Sequence, residues 1–408
     1  MKVAVVGGGL AGLAAALDLV GAGHEVTVLE ARPTLGGAVQ TLPEREGDPE
    51  SPPDNGQHIA LGCFTEYLRF LDRIGESGSY LRTRLGLPVV DGDGRFATIA
   101  PSLPALLRYS HLPLRDRLRL PVTTMRLRSA QSQPNETFGE VLRRLGETSE
   151  SIDRFWDVFI RPALNLPADE VDAEAGLFTV RTALLGPRAN SDLILPTKPL
   201  GWMHGDAAGR ALGDRVRLER RVETLDELDA DAIVLAVPPR ESARLLGEPE
   251  PELEDSPIVS VHLWFDQPIL DVPLAALLGT DAHWVFDRGR LLGHSPRAVG
   301  QYLTVVSSGV PELLEVRGRE LVERLATQLT EQLGHAELLW SRVSREPYAT
   351  IALRPGVRRP GVETSRPGVA RAGAWTDTGW PATMESAIRS GRRAAQHILS
   401  SSSARVSA

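Results

Sequence analysis

The sequence predicts an α/β protein, with a doubly wound parallel sheet gathered from distant parts of the chain and an inserted α+β domain. Three observations lead there. The chain opens on a short β-branched run (KVAVV, residues 2–6), then glycines, then an alanine- and leucine-rich stretch at 13–20. That order reads as buried parallel strand, tight turn and helix. A second continuous apolar run, residues 233–237, reads as another buried strand far downstream. The chain's 408 residues also exceed the roughly 250–300 that one hydrophobic core holds, so two domains are expected.

Gly7, Gly9 and Gly12 stand in the spacing G-x-G-x-x-G, with Leu10 and Ala11 between them. Gly7 allows the turn off the strand, Gly9 a close approach to a pyrophosphate, and Gly12 tight packing of helix on strand. The helix N-terminus turns unpaired N–H groups and the positive end of its dipole toward the phosphates. Residues 24–29 read as the second strand and end at Glu30, 18 residues after Gly12. A carboxylate there can accept the two hydroxyls of a ribose. The layout therefore predicts a Rossmann-like dinucleotide site. Ala31 and Arg32 follow, and then the pair Gly36 and Gly37, which fits a loop lying close to a flavin nucleotide.

Residues 3–37 resemble the FAD-binding start of the amine oxidase and phytoene desaturase superfamily. Many members place an arginine directly after the second glycine pair; this chain has Ala38, and Arg32 can supply the charge. The resemblance implies that the backbone around Val222 flanks the adenine. It also implies that a glycine at the end of a late strand meets the ribityl chain, and that the following helix points its N-terminus at the flavin ring. Gly373 matches that glycine, Ala374 replaces the usual aspartate, and Asp377 is a candidate substitute. Pro381, Ala382, Thr383 and Met384 lead into the helix, with Thr383 expected as its N-cap. Trp375 and Trp380 either pack around the cofactor or touch it. FAD is expected to bind non-covalently, because the lone Cys63 lies far from the C-terminal cysteine that carries flavin in some relatives. A buried, inert thiol is expected there.

Three more segments narrow the resemblance: DNGQH at 54–58, FWDVFIRPALNL at 155–166 and SPIVSVHLWF at 256–265. With TDTGWPATMES at 376–386 they resemble the hydroxysqualene dehydroxylases, over about residues 3–399. That resemblance implies reduction of an allylic isoprenoid alcohol to squalene by reduced FAD, a step toward hopanoids or carotenoids. His58 is then the leading general acid, or else a loop residue that hydrogen-bonds beside the flavin. Asp54 either orients that loop or caps a turn, and Gln57 is placed next to the cofactor. Trp264 and Trp284 are candidate aromatic walls of a substrate cavity, or else core residues. The alternatives are an isoprenoid desaturase and an amine oxidase. Of two lysines, only Lys198 could hold a water near the flavin as many amine oxidases do, and its context reads as a loop.

The net charge of −8 argues against general nucleic-acid binding. A single cysteine excludes a disulfide framework and fits a reducing cytoplasm. Residues 1–65, 190–250 and 351–399 are expected to form the FAD domain. Residues 66–189, largely helical, and 251–350 are expected to form the substrate domain. In the latter, 311–333 reads as one helix, and 400–408 reads as a frayed tail. Residues 103–128 mix eight leucines with six arginines around one acid, Asp116. Such a segment is either a membrane-interface element or a solvated surface helix.

Overall fold

The computed structural model describes residues 1–49, 51–293 and 300–406. The strand Lys2–Val6 lies at the centre of a five-stranded parallel sheet. Glu25–Leu29 and then Val216–Arg217 lie on one side of it; Ala232–Leu235 and then Val369–Arg371 lie on the other. The two ends of the chain therefore meet in one sheet. Val3 pairs with Val26 and with Ala232, and side chains alternate between two cores. Val3 and Val5 face helix α1 (Leu10–Gly21), while Ala4 and Val6 join Leu29, Val222 and Leu245 on the opposite face. The C-terminal helix Met384–Val406 packs along α1. A Cβ added at Gly391 would come within 2.0 Å of the Ala11 carbonyl oxygen, so only glycine permits this approach. The helix continues through the segment read as a tail up to Val406; residues 407 and 408 lie outside the described residues.

Helix α2 spans Thr65–Arg73, and Phe138–Arg144 begins on a capping box between Thr137 and Glu140. Residues 66–189 are less helical than expected. Tyr80–Thr83 joins a small sheet with Ala60–Leu61 and Leu193–Pro196, and Leu87–Val90 and Phe96–Ile99 enter a second large sheet. These four-residue strands are too short to show a period, and Leu87–Val90 is completed by pairing with Leu274–Leu277, far along the chain. Beyond them come α3 (Leu103–Arg108) and α4 (Leu114–Arg126).

The second large sheet has seven strands and is mixed. Its order is Leu338–Ile351, Asp255–Phe265, Gln301–Ser308, Trp284–Asp287, Leu274–Leu277, Leu87–Val90 and Phe96–Ile99. One face carries Val259, Val261, Leu263, Leu303 and Val305, packed on the helix Gly318–Leu333 through Leu321, Leu325 and Leu329. The single helix expected at 311–333 is two: Pro311–Leu314 ends, and Arg317 is extended (ψ 143°) before Gly318–Leu333 begins. Arg345 Nη2 donates to the Val316 carbonyl in that break at 2.6 Å.

Candidate flavin and substrate site

The glycine loops form a cradle that admits no side chains. Gly7 has φ +105°, and a Cβ on it would lie 2.2 Å from the Ala236 carbonyl oxygen. A Cβ on Gly12 would lie 1.9 Å from the Gly7 carbonyl oxygen. The second glycine pair crosses the first: Gly36 N–H donates to Gly8 O at 2.9 Å, and a Cβ on Gly37 would lie 2.8 Å from Gly9 Cα. Helix α1 has Gly9 as its N-cap, no capping side chain and no acid in its first turn, so its positive end is turned to the loop uncompensated. Leu10, Ala11 and Gly12 form that first turn and are buried. Glu30, 8% exposed, accepts from Gly8 N–H at 2.7 Å and from Arg32 N–H at 2.8 Å. A cradle that any Cβ would fill, below an uncompensated helix N-terminus and beside a carboxylate, fits the pyrophosphate and ribose of a dinucleotide.

Ala31, Arg32 and Ala38 lie exposed on the rim. Arg32 Nη1 donates to Gly37 O at 3.4 Å, which puts its charge over the second glycine pair, where the arginine missing at position 38 would act. Arg220 N–H donates to Glu30 O at 2.8 Å, so the 217–222 segment runs alongside the ribose position. The Val222 side chain is buried in the apolar cluster beneath the sheet.

The C-terminal segment closes the cradle. Gly373 has φ +150°, and its N–H donates to Ser390 Oγ at 2.9 Å. Trp375 Nε1 donates to Val237 O at 3.0 Å, tying this turn to the strand Ala232–Leu235. The space above Ala374 is not refilled by Asp377. That side chain is 61% exposed and faces Arg359 at 3.7 Å. Trp380 packs edge-on against Phe64 and Phe178, with Arg389 over its ring at 4.6 Å. Thr383 is the N-cap of the last helix, its Oγ1 accepting from Ser386 N–H at 3.4 Å. Ala382 O accepts from Thr350 Oγ1 at 3.0 Å, so Pro381, Ala382, Thr383 and Met384 sit where this helix abuts the mixed sheet.

The 54–58 loop is fixed to the second glycine pair. Asn55 N–H donates to Gln40 O and Asn55 Nδ2 to Ala38 O, both at 2.9 Å. Asp54 is 3% exposed and carries three partners: Arg288 Nη2 at 2.7 Å, Leu200 N–H at 2.7 Å and Thr41 Oγ1 at 2.8 Å. Burial raises its carboxyl above the ordinary range, and Arg288, Leu200 and Thr41 all pull it down. Asp54 thus ties three segments together. His58 is half-buried, with Nδ1 3.3 Å from Gly56 O, and burial lowers its pKa below the usual histidine value. At neutral pH the ring is uncharged.

Where this loop crosses the mixed sheet, the structure gathers groups that no sequence motif marks. A Cβ on Gly56 would lie 2.8 Å from Ser260 Oγ, so the loop lies directly on the strand Asp255–Phe265. Three buried polar atoms there have no hydrogen-bond partner: Gln57 Oε1, Ser260 Oγ and His262 Nε2. Buried orphans are rare in folded proteins and mark places where a further group is accommodated. His262 Nδ1 meets Thr304 Oγ1 at 3.0 Å and the Tyr302 hydroxyl at 3.2 Å, and burial pushes its pKa down to about 3. The alternation Ser256, Ile258, Ser260, His262, Trp264 was the available signal, since all five share one face.

Trp264 and Trp284 share that face but form no common wall. Trp264 pairs with Tyr302 in register and stacks on it at 5.6 Å. Trp284 pairs with Val306, four residues or roughly 13 Å along the same strand. It stacks on Phe286 at 6.0 Å, in an apolar cluster with Phe155, Trp156 and Val306. Ser260 and Trp284 flank Val306, and His262 and Phe286 flank Thr304, so on this face the polar pair under the 54–58 loop lies level with the aromatic pair, one strand between them. Lys198 points away, its Nζ 2.8 Å from Glu76 and half exposed. Cys63 is buried, which pushes its thiol up to about 12.

Residues 10–399 match the profile of the flavin-containing amine oxidoreductases. The chain belongs to that family. It is 30% identical to the hydroxysqualene dehydroxylase of Sinorhizobium fredii, over 98% of each chain. It is 29% identical to that of Rhodopseudomonas palustris, over 97% of this chain and 98% of the relative. Among solved structures, the cyclohexylamine oxidase of Brevibacterium oxydans superposes with a TM-score of 0.73 at 18% identity, covering 98% of this chain and 99% of that one, a likeness of fold. Membership of this flavoprotein family makes FAD the dinucleotide that the cradle implies.

Proposed function

We propose that this flavoprotein is a hydroxysqualene dehydroxylase, reducing hydroxysqualene to squalene with release of water. One observation carries the reading beyond the family: on the sheet face beside the 54–58 loop, the polar Ser260 and His262 lie alongside the aromatic Trp284 and Phe286, one strand between them. A substrate with one hydroxyl on a long hydrocarbon matches that juxtaposition.

FAD would bind non-covalently, held by Gly7, Gly9 to Gly12, Glu30, Arg32, Gly36, Gly37, the 222 segment and the 373–384 turn; when reduced, it supplies the hydride. The chain's own groups do the rest. Trp284, Phe286 and Val306 hold the hydrocarbon and exclude water. The orphaned atoms of Gln57, Ser260 and His262 orient the hydroxyl. A proton must reach that oxygen as the C–O bond breaks, and either His58 or His262 delivers it. Both are neutral at pH 7, so either would donate most readily at lower pH.

The amine oxidase alternative is disfavoured by Lys198, which faces Glu76. The test is a substrate panel. With flavin kept reduced, hydroxysqualene should yield squalene; in air, primary amines should yield no peroxide. Peroxide from amines and no squalene would overturn the reading.

A further inference from the structure

Helix α4 is built inside out for a surface helix. Its inner face buries Asp116, Leu120 and Thr123, followed by Leu127 just past its end. Its outer face presents Leu114, Leu118, Val122 and Met125, exposed by 61, 56, 48 and 72%. At 3.6 residues per turn these four fall within roughly 80° of arc. Arg115, Arg119 and Arg126 border the stripe on one side and Arg128 on the other; all four are exposed. The one acid of the helix, Asp116, is turned inward with its side chain 1% exposed. Leu103, 57% exposed, begins α3, which packs on α4.

We infer that the outer face of α4 docks on an anionic lipid surface. Apolar side chains flanked by arginines suit the boundary between headgroups and acyl chains, where leucine and methionine enter and guanidinium groups stay with phosphates. No helix among the described residues is long and apolar enough to cross a membrane, so the contact is peripheral. A second protein copy fits less well. A stripe one side chain wide along a helix of 13 residues, about 20 Å long, is small beside the roughly 800 Å² per partner of a stable dimer. The inner side of the same helix adds a reason for its position. Leu120 and Leu127 belong to the apolar cluster that contains Trp156, Trp284 and Phe286. Docking would set that compartment about one helix diameter, roughly 10 Å, from the lipid. The inference stands apart from the proposed reaction, because it is read without substrate.

The test is sedimentation of the flavin-loaded full chain with vesicles of phosphatidylcholine, with and without phosphatidylglycerol. Wild type should pellet with the anionic vesicles at low salt and release as salt rises. The triple variant Leu114→Ser, Leu118→Ser, Met125→Ser should partition at least about tenfold less. Arg115→Gln with Arg119→Gln should lose the preference for anionic lipid. The flavin spectrum shows that each variant is folded. Wild type that stays in solution at low salt would overturn the inference, as would a triple variant that pellets like wild type. Dimeric wild type that the triple variant converts to monomer would give the stripe to a second copy, and would overturn it too.

Discussion

The two large sheets serve the site in opposite ways. Around the parallel sheet the work is done by backbone: Gly7, Gly12 and Gly37 hold approaches that any Cβ would block. Glu30 supplies a carboxylate at its rim. On the inner face of the mixed sheet the work falls to side chains, with Asp54 and Arg288 paired out of water and His262 and Ser260 left with unpartnered atoms. A cofactor common to a family is held by main chain, which sequence change leaves alone. A particular substrate is addressed by side chains, which vary.

That contrast can be broken, beginning with the largest effect. Gly12→Val sets a Cβ against the Gly7 carbonyl, with no rotamer to relieve it, so purified protein should carry no flavin. Flavin at wild-type stoichiometry would mean that the cradle tolerates side chains. On the other sheet, His58→Gln and His262→Gln should both keep flavin. Whichever residue delivers the proton should lose about 10²–10⁴ in turnover. In wild type that group makes activity fall as pH rises through a pKa below 6.5. Flat pH profiles with both variants active would remove both histidines from the chemistry.

Arg288→Met strands the Asp54 charge in the interior and should cost about 3–5 kcal/mol in urea unfolding. The double variant Arg288→Met, Asp54→Asn should recover most of it. Acid should act through buried histidines. His204 and His262 are buried neutral, with pKa values pushed down to about 4 and about 3. The unfolded chain then binds more protons than the folded one below pH 6.5. Stability is full above that value and declines as pH falls toward about 4. A urea midpoint unchanged across this window would show that the burial of these rings is misread. The smallest effect is Thr383→Ala, which removes the cap of the last helix for about 1 kcal/mol.

The sequence made the parallel sheet and its loops legible because their signals are local. The 2–6 strand, the spacing of Gly7, Gly9 and Gly12, the acid at position 30 and the cap at 383 each sit within a few residues of what they act on. The mixed sheet was legible only in outline. Leu87–Val90 is a strand because Leu274–Leu277 pairs with it, and four residues carry no period. Asp54 could be read only as orienting its loop or capping a turn, because its partner, Arg288, is 234 positions away. His262 went unnoticed in a strand that reads as ordinary alternation until the 54–58 loop is laid across it. Trp264 and Trp284 looked like a pair because both are tryptophans near one another in the chain; the register of Gln301–Ser308 sets them apart.

The measurement closest to the central claim is a single anaerobic turnover. The bound flavin is photoreduced, hydroxysqualene is added, and the flavin spectrum is followed while squalene is assayed. Flavin reoxidised in step with one squalene formed per flavin is the predicted result. Flavin that stays reduced with hydroxysqualene unconsumed would contradict it, and would turn attention to the oxidised enzyme acting on saturated isoprenoids.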